Sequence, residues 1–292
     1  MNWKAYYKPK TVAEALALLD QAEGKARLIA GGTDLVLQLR WGEPTADFLV
    51  DITEIDELKD IREQDGWVYI GAAVTHNEIA KNALIRKEAS ALAEGCTKVG
   101  SPQIRNVATL VGNVIAARPA GDGAIPLLAL EAQIKIVSKT GETWMPIEET
   151  YQGVGRSAID STSQVATELK FKVMGEKRRT KFFRMARRKA LALPILNGAV
   201  AILSGSGSNR IQKIRIALGP AAERPFRPQM AEAYLESQEI SPESIRQTGR
   251  IASEEARPRT SHLRGSAFYR KEMIRLYLAR ALEELLIKPP GA

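Results

Sequence analysis

Cysteine and histidine are the usual carriers of redox, nucleophilic and metal chemistry, and this chain has few of them: Cys96 is its single cysteine, and His76 and His262 are its two histidines. One cysteine closes no disulfide within the chain and ligates neither a cysteine-rich zinc site nor an iron–sulfur cluster. Two histidines are too few for an ordinary histidine-based metal centre and argue against a Ser-His-Asp triad. Cys96 reads as a small buried residue, and His76, just inside a helix start, as a structural one. If the protein is an enzyme, a bound cofactor must carry the chemistry, and the chain's own residues must hold it.

Three stretches could do so. Ala30-Gly31-Gly32-Thr33-Asp34-Leu35 offers two glycines that let backbone approach an anion without Cβ hindrance, followed by a helix start whose free N–H groups favour negative charge. A pyrophosphate fits such a turn, although a Gly-Gly turn between strand and helix is also ordinary scaffolding. Thr109-Leu110-Val111-Gly112-Asn113, with Asp122 nine residues further on, places a hydroxyl, an amide and a carboxylate where phosphate oxygens, flavin-ring edges or sugar hydroxyls could be bound. The run from Lys177 to Lys189 gathers Lys177, Arg178, Arg179, Lys181, Arg184, Arg187, Arg188 and Lys189 around Phe182, Phe183 and Met185. A nucleic-acid binder uses such a stripe, but the aromatic residues alternate as a strand would bury them, so the charges are expected to be solvated or to face a protein partner. No G-x-G-x-x-G occurs, and Gly205-Ser206-Gly207 has neither a third glycine nor a helix after it.

Elements must position these groups. Thr11 with Glu14 three residues on predicts a capping box opening a helix to about Asp20. Arg27 to Ala30 predicts a short buried strand, and Thr33 or Asp34 the N-cap of a helix through Leu35, Val36, Leu37 and Leu39. Phe48 to Ile52 and Trp67 to Ile70 predict strands, with a second capping box at Thr75-His76-Asn77-Glu78. A helical run from Ile85 to Lys98 breaks at Gly100-Ser101-Pro102, and Gln103 to Asn113 reads as a polar loop. Ile134 to Val137 and Thr143 to Ile147 predict a hairpin, and the first domain should close near Val173. Past a charged linker, Gly175 to Arg179, the segments at Phe182-Phe183, Leu196 to Leu203 and Ile211 to Leu218 predict an antiparallel sheet with a Gly/Ser turn from Ser204 to Asn209. Helices follow at Met230 to Glu236, Ser241 to Glu255 and Ser266 to Leu286.

With 292 residues, 45% hydrophobic and 26% charged, the chain can bury a substantial core. No secretory leader reads out of its first residues and no stretch is long and apolar enough to span a membrane, so a cytoplasmic location is expected. A net charge of +8 suits an acidic partner, an anionic ligand or nucleic acid without deciding among them.

Taken together, these stretches resemble the FAD-binding medium subunits of the molybdenum hydroxylases, the group containing xanthine, carbon monoxide and nicotinate dehydrogenases. The family's Ala-Gly-Gly-Thr-Asp-Leu stands at Ala30 to Leu35. Its Gln-Ile-Arg-Asn-x-Ala-Thr-Ile-Gly-Gly-Asn stands at Gln103 to Asn113, with Leu110 and Val111 replacing Ile-Gly. Arg215 to Gly219 and Arg264 to Arg270 look like a strand and a helix start of the family's second domain. The resemblance implies an α+β protein: a two-lobed FAD-binding domain of the PCMH type over 1–173, with lobes of about 1–57 and 58–173, and a small α+β domain over 178–288 with an antiparallel sheet and helices, covering the flavin's reactive side. It implies non-covalent FAD, with molybdopterin in a large partner subunit and a 2Fe–2S cluster in a small one, electrons passing to NAD or another acceptor, and no nucleic acid. Carried over residue by residue, Leu28, Ile29, Ala30, Gly31, Gly32, Thr33, Asp34 and Leu35 would wrap the diphosphate, with Leu35 and Val99 beside the flavin ring. Thr109, Gly112, Asn113, Asp122 and Ala166 would also hold the cofactor, and the family's lysine in the first strand of the second domain falls on Arg184. Three positions depart: Val111 for a glycine, Arg118-Pro119 for Ser-Pro, and no acidic residue in Ala190-Leu191-Ala192. A β-branched residue is strained if that loop needs a positive φ. Val111 and Arg118 motivate the rival expectation of a flavin-free scaffold subunit.

Overall fold

The computed structural model describes residues 3–43, 45–173, 175, 178–204 and 210–287. A three-stranded parallel sheet comes first, in the order β1 (Ala5–Tyr7), β3 (Phe48–Asp51), β2 (Ala26–Ile29), with α1 (Val12–Gln21) and α2 (Leu35–Arg40) as its crossovers. Thr11 caps α1 by accepting from the Glu14 N–H, and the Glu14 carboxylate accepts from the N–H of Lys10. The second sheet has five antiparallel strands: β4 (Ile61–Gln64), β5 (Trp67–Gly71), β10 (Val165–Lys172), β6 (Gln133–Ser138) and β7 (Gly141–Pro146), in that spatial order. Its inner face buries Val68, Ile70, Ile134, Ile136, Leu169 and Phe171. On its outer face the Lys170 ammonium lies 3.9 Å from the Trp144 ring centroid and 4.8 Å from that of Trp67, so cation–π contact covers apolar surface there.

Six helices connect β5 to β6: α3 (His76–Lys81), α4 (Ala83–Glu88), α5 (Ser90–Lys98), α6 (Pro102–Arg105), α7 (Leu110–Ile115) and α8 (Ala124–Ala129). Two expectations are corrected here. The single helical run from Ile85 to Lys98 is broken at Ala89, whose φ of −148° and ψ of 59° are not helical. There Ser90 Oγ and the Ala91 N–H reach Thr180, so the start of α5 is satisfied by a distant strand rather than by continuing α4. Gln103 to Asn113 is not one loop but α6, a short link and the first turns of α7. Ser101 and Thr109 are the N-caps, accepting from the N–H groups of Ile104 and Gly112.

A small two-stranded sheet, β8 (Tyr151–Gly153) with β9 (Arg156–Ser157), precedes β10. The last sheet is β11 (Arg178–Met185), β12 (Leu196–Ser204) and β13 (Ile211–Gly219), antiparallel throughout, and β11 already begins inside the expected linker. The Gly/Ser turn lies, beyond Ser204, outside the described residues, as does Lys177. Helices α9 (Gln229–Ser237), α10 (Pro242–Glu255) and α11 (Ala267–Leu286) bury Leu235, Ile245, Ile274, Leu278 and Leu282 against this sheet in a second core. Glu131, at the end of α8, ties the two regions together: it accepts from Lys213 and Arg215 and lies 3.5 Å from Arg227. Against the opposing effect of burial, the hydrogen bonds from Lys213 and Arg215 hold its carboxyl down at about 2. Among the described residues no helix is long and apolar enough to cross a membrane.

Candidate cofactor site

A cavity of about 650 Å³ opens where the parallel sheet meets the helices of the second lobe, within the range of small-molecule sites. Leu28 and Ile29 at the end of β2, the turn through Ala30, Gly31, Gly32, Thr33 and Asp34, and Leu35 at the start of α2 all line it. The N–H groups of Gly31, Gly32, Thr33 and Asp34 have no acceptor among the described residues. Asp34 stands at the N-cap position of α2 but makes no side-chain cap bond. Packing within the chain adds a second reason for the glycines. A Cβ on Gly31 would lie 2.0 Å from the Val107 carbonyl oxygen, so Gly31 is required by the backbone of the other lobe. Gly32 has φ +66°, in the left-handed region, and a Cβ there would meet Ile29 and Val36. Packing within the chain is thus a demand on both positions.

The opposite wall comes from the segment between α6 and α7. The His76 N–H donates to the Ala108 carbonyl and the Leu110 N–H to that of Val74, which stitches this segment to the start of α3. Thr109, Gly112 and Asn113 thereby line the cavity, joined by Val99 and by Ala166, which sits beside the bulge in β10. The Thr109 hydroxyl accepts from the Gly112 N–H at 3.1 Å, and its own proton stays free to donate. Asn113 Oδ1 is buried without any hydrogen-bond donor. A buried acceptor left unpaired costs about 1–3 kcal/mol unless a ligand supplies the donor. Val111 lies within α7 and is buried, outside the positive-φ residues, so the expected backbone strain is absent. Arg118 is exposed and does not line the cavity, whereas the Val111 side chain is part of its wall.

Asp122 and Arg184 are brought together, but not onto the cavity wall. Arg184 Nε donates to both Asp122 oxygens at 3.2 and 3.1 Å, and Asn197 Nδ2 donates to Asp122 Oδ1 at 2.7 Å and to the Ala120 carbonyl. Burial pushes the Asp122 carboxyl up to about 6, against the opposing pull of Arg184 and Asn197. This cluster braces the 117–123 segment, and the position of a Cβ on Gly121 lies 2.9 Å from Asn113 Oδ1. The basic run is likewise not a free stripe. Arg179 donates to the Leu285 carbonyl, Lys181 pairs with Glu284, Arg187 donates to the His262 carbonyl, and Phe182 and Phe183 are buried. Part of the expected docking face is thus engaged within the chain, while Arg187, Arg188 and Lys189 stay exposed.

Several lining residues escaped the sequence reading. The 155–164 segment contributes Gly155, Ser157, Ile159, Ser161 and Gln164, drawn in by a bond from the Leu28 N–H to the Ser161 carbonyl. No motif marks it. His76 also lines the cavity, and its Nδ1 lies 3.3 Å from Cys96 Sγ. Burial, then the positive charge of Arg105, holds its imidazole down at about 4, so it is neutral near pH 7. Only Arg27, Asp34 and His76 among the lining residues are ionisable, and no cluster of three His, Cys, Asp or Glu among the described residues is placed to hold a metal. Leu193 is the one lining residue from beyond the second sheet, a much smaller share than a domain covering the cavity would give. The free N–H groups suit phosphate oxygens, and the buried Asn113 oxygen suits a hydroxyl or ring N–H donor; an elongated dinucleotide such as FAD carries both.

Residues 1–171 match the family of the FAD binding domain in molybdopterin dehydrogenase, and residues 181–285 match the CO dehydrogenase flavoprotein C-terminal domain. The chain therefore belongs to the family of FAD-binding medium subunits of the molybdenum hydroxylases. It is 34% identical over 203 residues to the nicotinate dehydrogenase FAD-subunit of Eubacterium barkeri, covering 68% of each chain. It is 27% identical over 279 residues to the carbon monoxide dehydrogenase medium chain of Hydrogenophaga pseudoflava, covering 95% of each. A structure of carbon monoxide dehydrogenase from that organism, lacking the Mo-pyranopterin moiety of its cofactor, superposes with a TM-score of 0.91 at 26% identity, covering 99% of this chain and 98% of the other.

Proposed function

We propose that this chain holds one FAD non-covalently in the cavity between its lobes and passes electrons between a 2Fe–2S subunit and NAD or another acceptor, in a cytoplasmic complex whose large subunit carries molybdopterin. The observation that carries the reading is the convergence of unpaired N–H groups at Gly31 to Asp34 with the unpaired Asn113 oxygen in one cavity. Bound there, the flavin supplies the exchange between one-electron and two-electron transfer, and the protein supplies binding and orientation. The 30–35 turn receives the diphosphate; Thr109, Gly112 and Asn113 fix the polar middle of the cofactor; and Leu35, Val99 and Ala166 give apolar contact. Asp122 and Arg184 act one step removed, by positioning the segment against which Asn113 packs. Exposed Leu37 and Leu193 line the cavity, and exposed Trp41 follows Leu37 at the end of α2, apolar surface that suits a partner subunit.

The purified chain should show flavin absorbance in a one-to-one ratio. Gly32→Val forces a β-branched residue to φ +66° and should abolish that absorbance while circular dichroism stays native. Stoichiometric flavin in a folded Gly32→Val chain would overturn the diphosphate assignment, and a flavin-free native chain that still co-purifies with two partners would establish the scaffold alternative.

A further inference from the structure

A separate cavity of about 440 Å³ lies at the loop leading into α11, lined by Pro119, Pro220 and Leu263 and by three arginines, Arg259, Arg264 and Arg270. No carboxylate lines it, and none of the three arginines has an ion-pair partner among the described residues. Arg270 is only 4% exposed. Its Nη1 donates to the Arg259 carbonyl at 2.9 Å, but Nε and Nη2 are buried with no acceptor. Burial, then the charges of Arg264 and Arg259, pushes the Arg270 guanidinium down to about 10, and burial followed by Arg259 lowers Arg264 as well. Arg270 also sits in the first turn of the 20-residue α11, and that turn holds no acidic residue, so the helix end adds positive potential where cations are already crowded. Like charges that converge and stay unpaired are balanced only when an anion joins them.

We propose that this cavity binds a phosphoryl group, with the Nε–Nη2 edge of Arg270 as bidentate donor and Arg264 and Arg259 completing the charge. The Thr260 and Ser261 hydroxyls, which line the same cavity, accept from the N–H groups of Ala267 and Leu263, so their protons remain to be donated. A phosphate monoester carries a charge of about −1.5 to −2 and three acceptor oxygens, which matches three guanidinium groups better than a carboxylate does. The space exceeds that of phosphate alone and leaves Pro119, Pro220 and Leu263 to contact whatever bears it.

The test uses the full chain saturated with FAD, so that the flavin cavity is closed to the probes. Thermal unfolding and calorimetric titration compare sodium phosphate, sodium chloride and sodium acetate at matched ionic strength. Phosphate should raise Tm saturably where chloride and acetate do not. Arg264→Gln, at a half-buried position, should weaken phosphate binding at least tenfold while leaving Tm without phosphate unchanged or higher. AMP binding tenfold tighter than inorganic phosphate would identify an esterified phosphate as the occupant; equal affinity would identify the free ion. The proposal is overturned if phosphate does no more than chloride, if acetate matches it and so points to a partner's carboxylate, or if Arg264→Gln binds phosphate as tightly as the native chain.

Discussion

Asn113 combines a place on the cavity wall with a buried oxygen that has no donor among the described residues. Removing an unsatisfied acceptor relieves its desolvation cost, so Asn113→Leu should leave the flavin-free chain as stable as before or up to about 1 kcal/mol more stable. FAD affinity should fall on the order of 2- to 10-fold, read by fluorescence titration beside thermal unfolding, because a charge-free hydrogen bond of that kind contributes about 0.5–1.5 kcal/mol. His76 gives a second test. Its pKa is lowered from 6.5 to about 4, first by burial and then by Arg105, so the folded state binds fewer protons than the unfolded one in that window. Its contribution to stability is full above about pH 6.5 and is lost as pH falls toward 4, up to about 3 kcal/mol in all. Denaturant midpoints between pH 7 and 4 should therefore fall more steeply for the native chain than for His76→Gln, and parallel slopes would refute the assignment.

The turn between β2 and α2 is held by contact with the other lobe. A methyl at Gly31 would stand 2.0 Å from the Val107 carbonyl, and both backbones would have to part. Gly31→Ala should lower stability by about 1–3 kcal/mol and weaken flavin binding together, since one displacement moves both walls; urea unfolding and FAD titration measure the two effects. The Asp122–Arg184 pair joins the 117–123 segment to β11 in a buried setting, with side chains 7% and 9% exposed. Arg184→Met strands a buried carboxylate and should cost about 3–5 kcal/mol, whereas Arg184→Met with Asp122→Leu should recover most of it. A double variant as unstable as the single one would show that the pair does more than compensate charge.

At the scale of the whole molecule, two apolar residues on the cavity wall stay exposed, Leu37 at 45% and Leu193 at 70%, and Trp41 at the end of α2 is 77% exposed. None of the residues of α2 is fully buried, although the helix is rich in leucine. We propose a partner surface there in addition to the basic run, in which Lys181 and Arg184 pair within the chain while Arg187, Arg188 and Lys189 stay exposed. Trp41→Ser should leave flavin content and Tm unchanged but reduce recovery of large and small subunits on co-purification from the native host several-fold. Unaltered recovery would place the docking surface elsewhere.

Local chemistry alone determined much of this. Glycine pairs, hydroxyl and carboxyl caps and the alternation of strands follow from neighbours within a few residues, which is why α1, α3, the β2 turn and the last three helices could be read directly. The scarcity of cysteine and histidine likewise pointed away from metal and nucleophile to a bound cofactor. What distance in the chain separates, only the tertiary structure decided. The break at Ala89 depends on Thr180, the glycine at 31 on Val107, the fate of Asp122 on Arg184 and Asn197, and the cavity wall at 155–164 on bonds to Leu28 and Ala117. In each case a polar group or a backbone approach is satisfied across the fold, and side-chain types at one position carry no record of which distant partner will satisfy them.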